Sequence, residues 1–84
     1  MASISAELEA KIQSAPAESF DLIVKTRGDA GPRLDWFSAH GIKVTRQFRL
    51  TPGVAVTCTG AAARQLLTPD WIESVELDQP VSAF

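Results

Sequence analysis

Four stretches of the chain alternate between apolar and polar residues, which is the pattern typical of β-strands. The alternation covers residues 20–26, 43–50, 54–59 and 72–78. A helical pattern at residues 32–40 separates the first stretch from the second. Another, at residues 60–67, separates the third from the fourth. Because connections between elements are short and crossovers are right-handed, this order predicts an α+β fold with a ferredoxin-like βαββαβ topology.

In that topology, two helices cover one face of a four-stranded antiparallel sheet, and the other face is left open. The alternation decides which side chains lie on the open face. They are predicted to be Ile23, Ala55 and Thr57 at its centre and Ser74, Glu76 and Asp78 along one edge. Because Ala55, Thr57 and Ser74 are small, such a face can accept the side of a helix from another protein.

The N-terminal segment predicts a further, shorter helix over residues 3–15. Ile4, Leu8 and Ile12 recur at intervals of four, and Pro16 ends the pattern. The apolar stripe is one residue wide, which predicts a peripheral helix or a frayed arm. We therefore divide the chain into an arm, residues 1–16, and a domain, residues 17–84, that ends in a tail at 79–84.

The second predicted strand contains one residue that breaks its pattern. Val44, Phe48 and Leu50 are expected to share the apolar side, but Arg46 falls on that side as well. Either a β-bulge or an edge position explains a charged residue there, and the sequence does not decide between them.

Composition excludes several classes of function. A chain of 84 residues makes a single domain with a modest core. Its net charge of −2 with no basic run argues against a nucleic-acid partner. No apolar run approaches the roughly 20 residues that span a bilayer, so no membrane contact is expected. The first residues lack the basic start and apolar stretch of a signal peptide. This predicts a cytoplasmic protein, or one from which a signal has been removed.

Residues capable of metal binding or nucleophilic catalysis are sparse. Cys58 and His40 are the single representatives of their types. A zinc site or a Cys/His catalytic pair needs more partners than these. Cys58 belongs to an alternating strand and is predicted to be a core residue. We therefore expect no enzyme activity, no metal and no cofactor.

The last residues are unusual for the end of a strand. Pro80 removes a backbone donor and ends strand pairing. The four residues that follow are uncharged, and the last of them is Phe84. A tail of this kind is suited to placing the chain terminus in a partner.

Several stretches together resemble the subtilisin-propeptide family. This family contains the propeptides of subtilisin-type serine proteases and free-standing inhibitors of fungal proteinases of the proteinase B type. The resemblance covers residues 20–84 and rests on residues 20–25, 40–44, 52–57, 61–66 and 72–78. The spacing from Asp78 to Phe84 also equals that in bacterial subtilisin propeptides between the matching aspartate and the residue at the cleavage site.

The resemblance implies a function and assigns roles to particular residues. The open sheet face would pack across two surface helices of a subtilisin-type protease, and Glu76 and Asp78 would cap the N-termini of those helices. The tail would lie in the substrate cleft like a cleaved product; it consists of Val81, Ser82, Ala83 and Phe84. Phe84 would fill the primary specificity pocket. We therefore expect a protease inhibitor that acts in trans, is monomeric when free and could also assist protease folding.

Two ferredoxin-like alternatives remain. A small-molecule sensor or assembly domain, which binds an amino acid at a dimer interface, would explain the fold and leave the tail unexplained. An RNA-binding domain is less favoured, because residues 54–59 carry no aromatic or basic side chain for base stacking.

Overall fold

A computed structural model describes residues 2–78, which form an α+β fold with a five-stranded mixed sheet and three α-helices. The elements in chain order are β1 (Ser3–Ile4), α1 (Ala6–Ser14), β2 (Ser19–Thr26), α2 (Leu34–Ala39), β3 (Lys43–Gln47), β4 (Gly53–Thr59), α3 (Gly60–Ala63) and β5 (Ile72–Leu77). Two 3₁₀ turns extend the helices, Gly31–Arg33 before α2 and Arg64–Leu67 after α3.

The strand order across the sheet is β1-β5-β2-β4-β3. The last four of these strands are mutually antiparallel, and β2 and β4 lie between the other two. β1 is parallel to β5 and pairs Ser3 with Ser74 and Ile4 with Val75. The prediction of a purely antiparallel, four-stranded ferredoxin-like sheet is therefore not matched in full. A strand of two residues is too short to alternate visibly, so the sequence gives no sign of β1.

A single core lies between one face of the sheet and the three helices. The sheet contributes Leu22, Val24, Val54, Val56, Cys58, Ile72 and Val75. The helices and their extensions contribute Leu8, Ile12, Phe37, Ala63 and Leu66. Because every helix buries residues in this one cluster, the opposite face of the sheet carries no helix within residues 2–78.

The helix α1 is a full member of this core. Ser5 caps it by accepting a hydrogen bond from the Leu8 amide (3.1 Å), and both Leu8 and Ile12 are buried. The sequence predicted a peripheral helix or frayed arm over residues 3–15. The helix instead begins at Ala6, after the strand Ser3–Ile4, and packs closely against α3. Gly60 allows that approach, because a Cβ there would lie 2.6 Å from the Ala15 carbonyl oxygen and 2.7 Å from that of Ile12.

Local hydrogen bonds define the end of α2 and the start of α3. Gly41 adopts a positive φ of 73° after α2, and the Ile42 amide donates back to the Phe37 carbonyl (2.9 Å), which closes the helix. Thr59 caps α3 by accepting a hydrogen bond from the Ala62 amide (3.3 Å).

A β-bulge in β3 explains the residue that broke the pattern. Val44 pairs with Val56, but the next paired residue, Arg46, is opposite Ala55, so β3 gains one residue at this point. An extra residue reverses the alternation, because successive side chains point to opposite faces. Arg46 therefore lies on the face opposite Val44.

The bulge also makes one sequence prediction wrong. Phe48 and Leu50 do not share the core face with Val44. The Phe48 amide donates to the Gly53 carbonyl (3.0 Å), and the Phe48 ring contacts the Arg46 guanidinium, whose central carbon is 5.2 Å from the ring centroid. Leu50 is fully exposed in the loop that follows.

Candidate functional site

The sheet face that carries no helix is the candidate functional site, and we call it the open face. Ile23 and Thr57 are half-buried on it, and Ser74 lies beside them on β5. Ala55 is buried, although it does not belong to the core cluster. The structure thus places Ile23, Ala55 and Thr57 together at the centre of this face, as the alternation predicts.

The first row of side chains across the open face joins Asp78, Asp21, Thr57 and Lys43. The Asp78 amide donates to the Asp21 carbonyl (2.9 Å), and the Thr57 hydroxyl donates to the Asp21 carboxylate (2.6 Å). Lys43 is the residue of β3 directly opposite Thr57. This row therefore runs from acidic at β5 to basic at β3.

The second row joins Glu76, Ile23, Ala55 and Arg46 in the same strand order. The Glu76 carboxylate lies 3.9 Å from the Lys25 ammonium, and each side chain is about half exposed. An exposed ion pair of this geometry contributes only about 0–1 kcal/mol, so Glu76 can exchange it for another partner at little cost.

The third row joins Ser74, Lys25, Gly53 and Phe48. Phe48 is half-buried and does not contact the core cluster, so it is an aromatic side chain presented on the open face. Phe48 and Arg46 also belong to the open face, although the sequence pattern did not predict this. The sequence held one sign of this: the charged Arg46 on the predicted apolar side of the strand, which a β-bulge would explain.

The predicted capping pair lies together on the open face. Glu76 is exposed and Asp78 is half-buried, and their side chains are two positions apart, so both point the same way. β1 pairs only with Ser74 and Val75 and so ends before it reaches them. The predicted tail of Val81, Ser82, Ala83 and Phe84 lies outside the described residues.

No protein-family model matches the chain. A search of curated proteins likewise finds no significant match. The interpretation of the site therefore rests on its geometry and on the sequence pattern.

Residues 2–78 carry neither a metal-binding cluster nor a membrane-spanning helix. That part of the chain contains no group of three or more His, Cys, Asp or Glu side chains placed to hold a metal ion. None of its helices has the length and apolarity needed to cross a bilayer. His40 is exposed; its ring stacks on Trp36 with 4.2 Å between ring centroids, and its Nδ1 lies 2.8 Å from the Trp36 carbonyl oxygen.

Cys58 is a buried core residue, as predicted. Burial raises the pKa of its thiol to about 11 from an ordinary value of 9.0, because the thiolate would lose its hydration. In the unfolded chain the thiol ionises first as the pH rises. Its contribution to stability is therefore complete below pH 9 and decreases between pH 9 and about 11.

We expect this titration to be visible in the free energy of unfolding. Between pH 8 and pH 10.5 the wild-type chain should lose more stability than a Cys58→Ala variant. The chain contains no tyrosine, so few other groups titrate in this range. Urea unfolding followed by tryptophan fluorescence measures both proteins, and parallel losses of stability would show that the thiol does not cause the effect.

Two cavities lie away from the centre of the open face. One of about 390 Å³ is bounded by β1, α1 and the end of β5, with Ile4, Leu8, Lys11 and Leu77 in its lining. The other, of about 400 Å³, lies beside the loop after β2. The first adjoins Glu76, so a ligand bound there would lie next to the capping pair.

Proposed function

We propose that this chain inhibits subtilisin-type serine proteases by docking its open face on the protease and placing its C-terminal tail in the substrate cleft. One observation carries the proposal: a sheet face that carries no helix within residues 2–78 has two carboxylates, Glu76 and Asp78, at the end of β5, and both point outward on that face. The resemblance of residues 20–84 to subtilisin propeptides supports the choice of partner.

The strand order supports a ferredoxin-like core within the five-stranded sheet. Strands β5-β2-β4-β3 have the order and antiparallel pairing that a βαββαβ chain gives, and β1 and α1 are additions to it. In this interpretation, α2 and α3 are the crossover helices, and the sheet face opposite them is the docking surface.

The carboxylates would bind the protease through the N-termini of its surface helices. The first amides of a helix lack intrahelical partners, and the helix dipole makes that end positive. A carboxylate satisfies both requirements with charge-assisted hydrogen bonds. Because the same contacts would hold two protease helices in place, they would also favour folding of the protease.

The tail would begin from a fixed point. The Asp78 amide is still hydrogen-bonded to the Asp21 carbonyl, so the last described residue is anchored to the central strand β2. From there, residues 81–84 would pair with the cleft as an extended peptide and gain main-chain hydrogen bonds. The apolar side chains of Val81 and Phe84 suit a protease that prefers apolar residues at these positions.

The capping pair gives a direct test. A Glu76→Ala, Asp78→Ala double variant should inhibit about 10- to 100-fold more weakly than the wild type, because losing one helix cap typically costs about 1 kcal/mol and losing two corresponds to roughly 30-fold. The measurement is the inhibition constant against a subtilisin-type protease, with a chromogenic peptide as substrate.

A matched control removes the same two residue types elsewhere. Glu18 and Asp70 are exposed, so Glu18→Ala with Asp70→Ala should leave the inhibition constant unchanged. Thermal unfolding midpoints of all three proteins show whether the fold is intact. If the capping variant loses its fold, or inhibits as well as the control, the carboxylates do not have the proposed role.

The cavity beside β1 favours a second candidate, a small-molecule sensor. Lys11 and Glu7 line it and form an ion pair of 3.8 Å across one helical turn, so charged groups are available to an amino acid. Isothermal titration with free amino acids distinguishes the candidates. Binding that Lys11→Ala abolishes, with no effect of the chain on any protease, would favour the sensor.

A further inference from the structure

The open face is electrically polarised from one edge to the other. Its β5 side carries Glu76 and Asp78, and its β3 side carries Lys43 and Arg46. The two strands between them contribute Asp21 and Lys25, whose charges cancel, together with uncharged side chains. One half of the face is therefore acidic and the other half basic.

A face of this kind is complementary to itself in one arrangement. Let two copies stack face to face about a two-fold axis that runs parallel to the strands, between β2 and β4. Strand β5 of each copy then lies over β3 of the other, and β2 lies over β4. Each row of one copy then faces the same row of the other copy, with the strand order reversed. This places Asp78 against the second copy's Lys43 and Glu76 against the second copy's Arg46. An axis perpendicular to the strands would instead stack β5 on β5 and bring like charges together.

The same arrangement also matches side chains by size. Ile23 of one copy faces the second copy's Ala55, and Lys25 faces the second copy's Gly53. Phe48, which the bulge places on the open face, faces the second copy's Ser74. In each of these three contacts a large side chain of one copy meets a small residue of the other. Stacked sheets interdigitate through contacts of this kind.

We propose that two copies of this chain associate through their open faces about this two-fold axis. Two kinds of ion pair, each present twice by symmetry, hold the edges, and Ile23 packs at the centre. Exposed ion pairs contribute only about 0–1 kcal/mol each, so the dimer is weak, forms at high concentration and weakens with salt. At low concentration the chain is monomeric, as the sequence analysis expects.

The dimer does not depend on the proposed inhibitory function, but its formation would affect that function. The dimer covers Glu76 and Asp78, the groups proposed to bind a protease. Self-association and protease docking would therefore exclude each other, and stored inhibitor would become active on dilution.

Charge reversal tests the arrangement. Lys43→Glu with Arg46→Glu makes both edges acidic, and Glu76→Lys with Asp78→Lys makes both edges basic. We expect each full-length variant to be monomeric at concentrations where the wild type is dimeric. An equimolar mixture of the two variants should associate, because every edge then faces an opposite charge. Sedimentation velocity at low salt, from about 10 µM to 1 mM, measures all four samples.

Two further samples separate the arrangement from general charge effects. The variant with all four substitutions has its polarity exchanged and should dimerise like the wild type. Asp35→Lys with Asp70→Lys reverses two exposed charges outside the open face and should leave association unchanged. Association of the mixed variants also shows that each is folded. A wild type that is monomeric throughout, or single-edge variants that dimerise as well as the wild type, would overturn the proposal.

Discussion

A chain that ends at Asp78 is expected to keep its fold and to inhibit subtilisin-type proteases at least about 100-fold more weakly than the full chain. The core cluster and the sheet lie within residues 2–78, and the last backbone hydrogen bond of the sheet, from Asp78 to Asp21, is retained. The removed residues would supply the apolar side chains of Val81 and Phe84 to the protease. Burying a Val or Phe side chain contributes about 1.5–3 kcal/mol each, which corresponds to roughly 100-fold or more in affinity.

A second variant distinguishes the effect of tail length from the effect of the tail's side chains. A variant in which residues 81–84 are replaced by Gly-Ser-Gly-Ser keeps the length and should be as weak as the truncated chain. Phe84→Ala alone should lose about 10-fold or more, because in the proposed complex it would leave the primary specificity pocket empty. The inhibition constants, measured beside thermal unfolding midpoints, check this; a truncated chain that inhibits as well as the full chain would show that the tail is not in the cleft.

Phe37→Ala is expected to have the largest effect on stability, a loss of about 3–5 kcal/mol in the free energy of unfolding. Phe37 is completely buried, and its ring makes edge-to-face contacts with Trp36 and Trp71 at centroid distances of 5.4 Å and 5.7 Å. A domain of this size has a total stability of roughly 4–13 kcal/mol. The variant should therefore lose a large part of its stability and unfold near physiological temperature.

Urea unfolding followed by tryptophan fluorescence measures this loss. Phe37→Leu keeps most of the volume and should cost less than about half as much. Leu50→Ala removes an exposed side chain and should change the unfolding midpoint little. Equal midpoints for Phe37→Ala and Leu50→Ala would show that Phe37 is not central to the core.

The central strands could be predicted from the sequence because one of their faces is buried. In β4, Val54 and Val56 alternate with the smaller Ala55 and with Thr57. In β2, Leu22 and Val24 share one face, and the structure buries all four of these residues. β1 could not be predicted, because two residues cannot establish a period. The packing of α1 was also missed, since it depends on the absence of a side chain at Gly60.

The open face was predicted only in part, for a physical reason. Ile23, Ala55 and Thr57 follow directly from alternation in regular strands. Phe48 and Arg46 do not, because the bulge adds one residue to β3 and exchanges the faces beyond it. Arg46 on the predicted apolar side was a sign of the bulge, but its place at the basic edge of the open face was settled only by the strand register.

The most direct measurement is a titration of a subtilisin-type protease with the full-length chain, with residual activity on a chromogenic peptide as the readout. We predict competitive inhibition that reaches completion near one inhibitor per protease and is relieved by excess substrate. Full protease activity at a large molar excess of the intact chain, repeated with several subtilisin-type proteases, would contradict the proposed function.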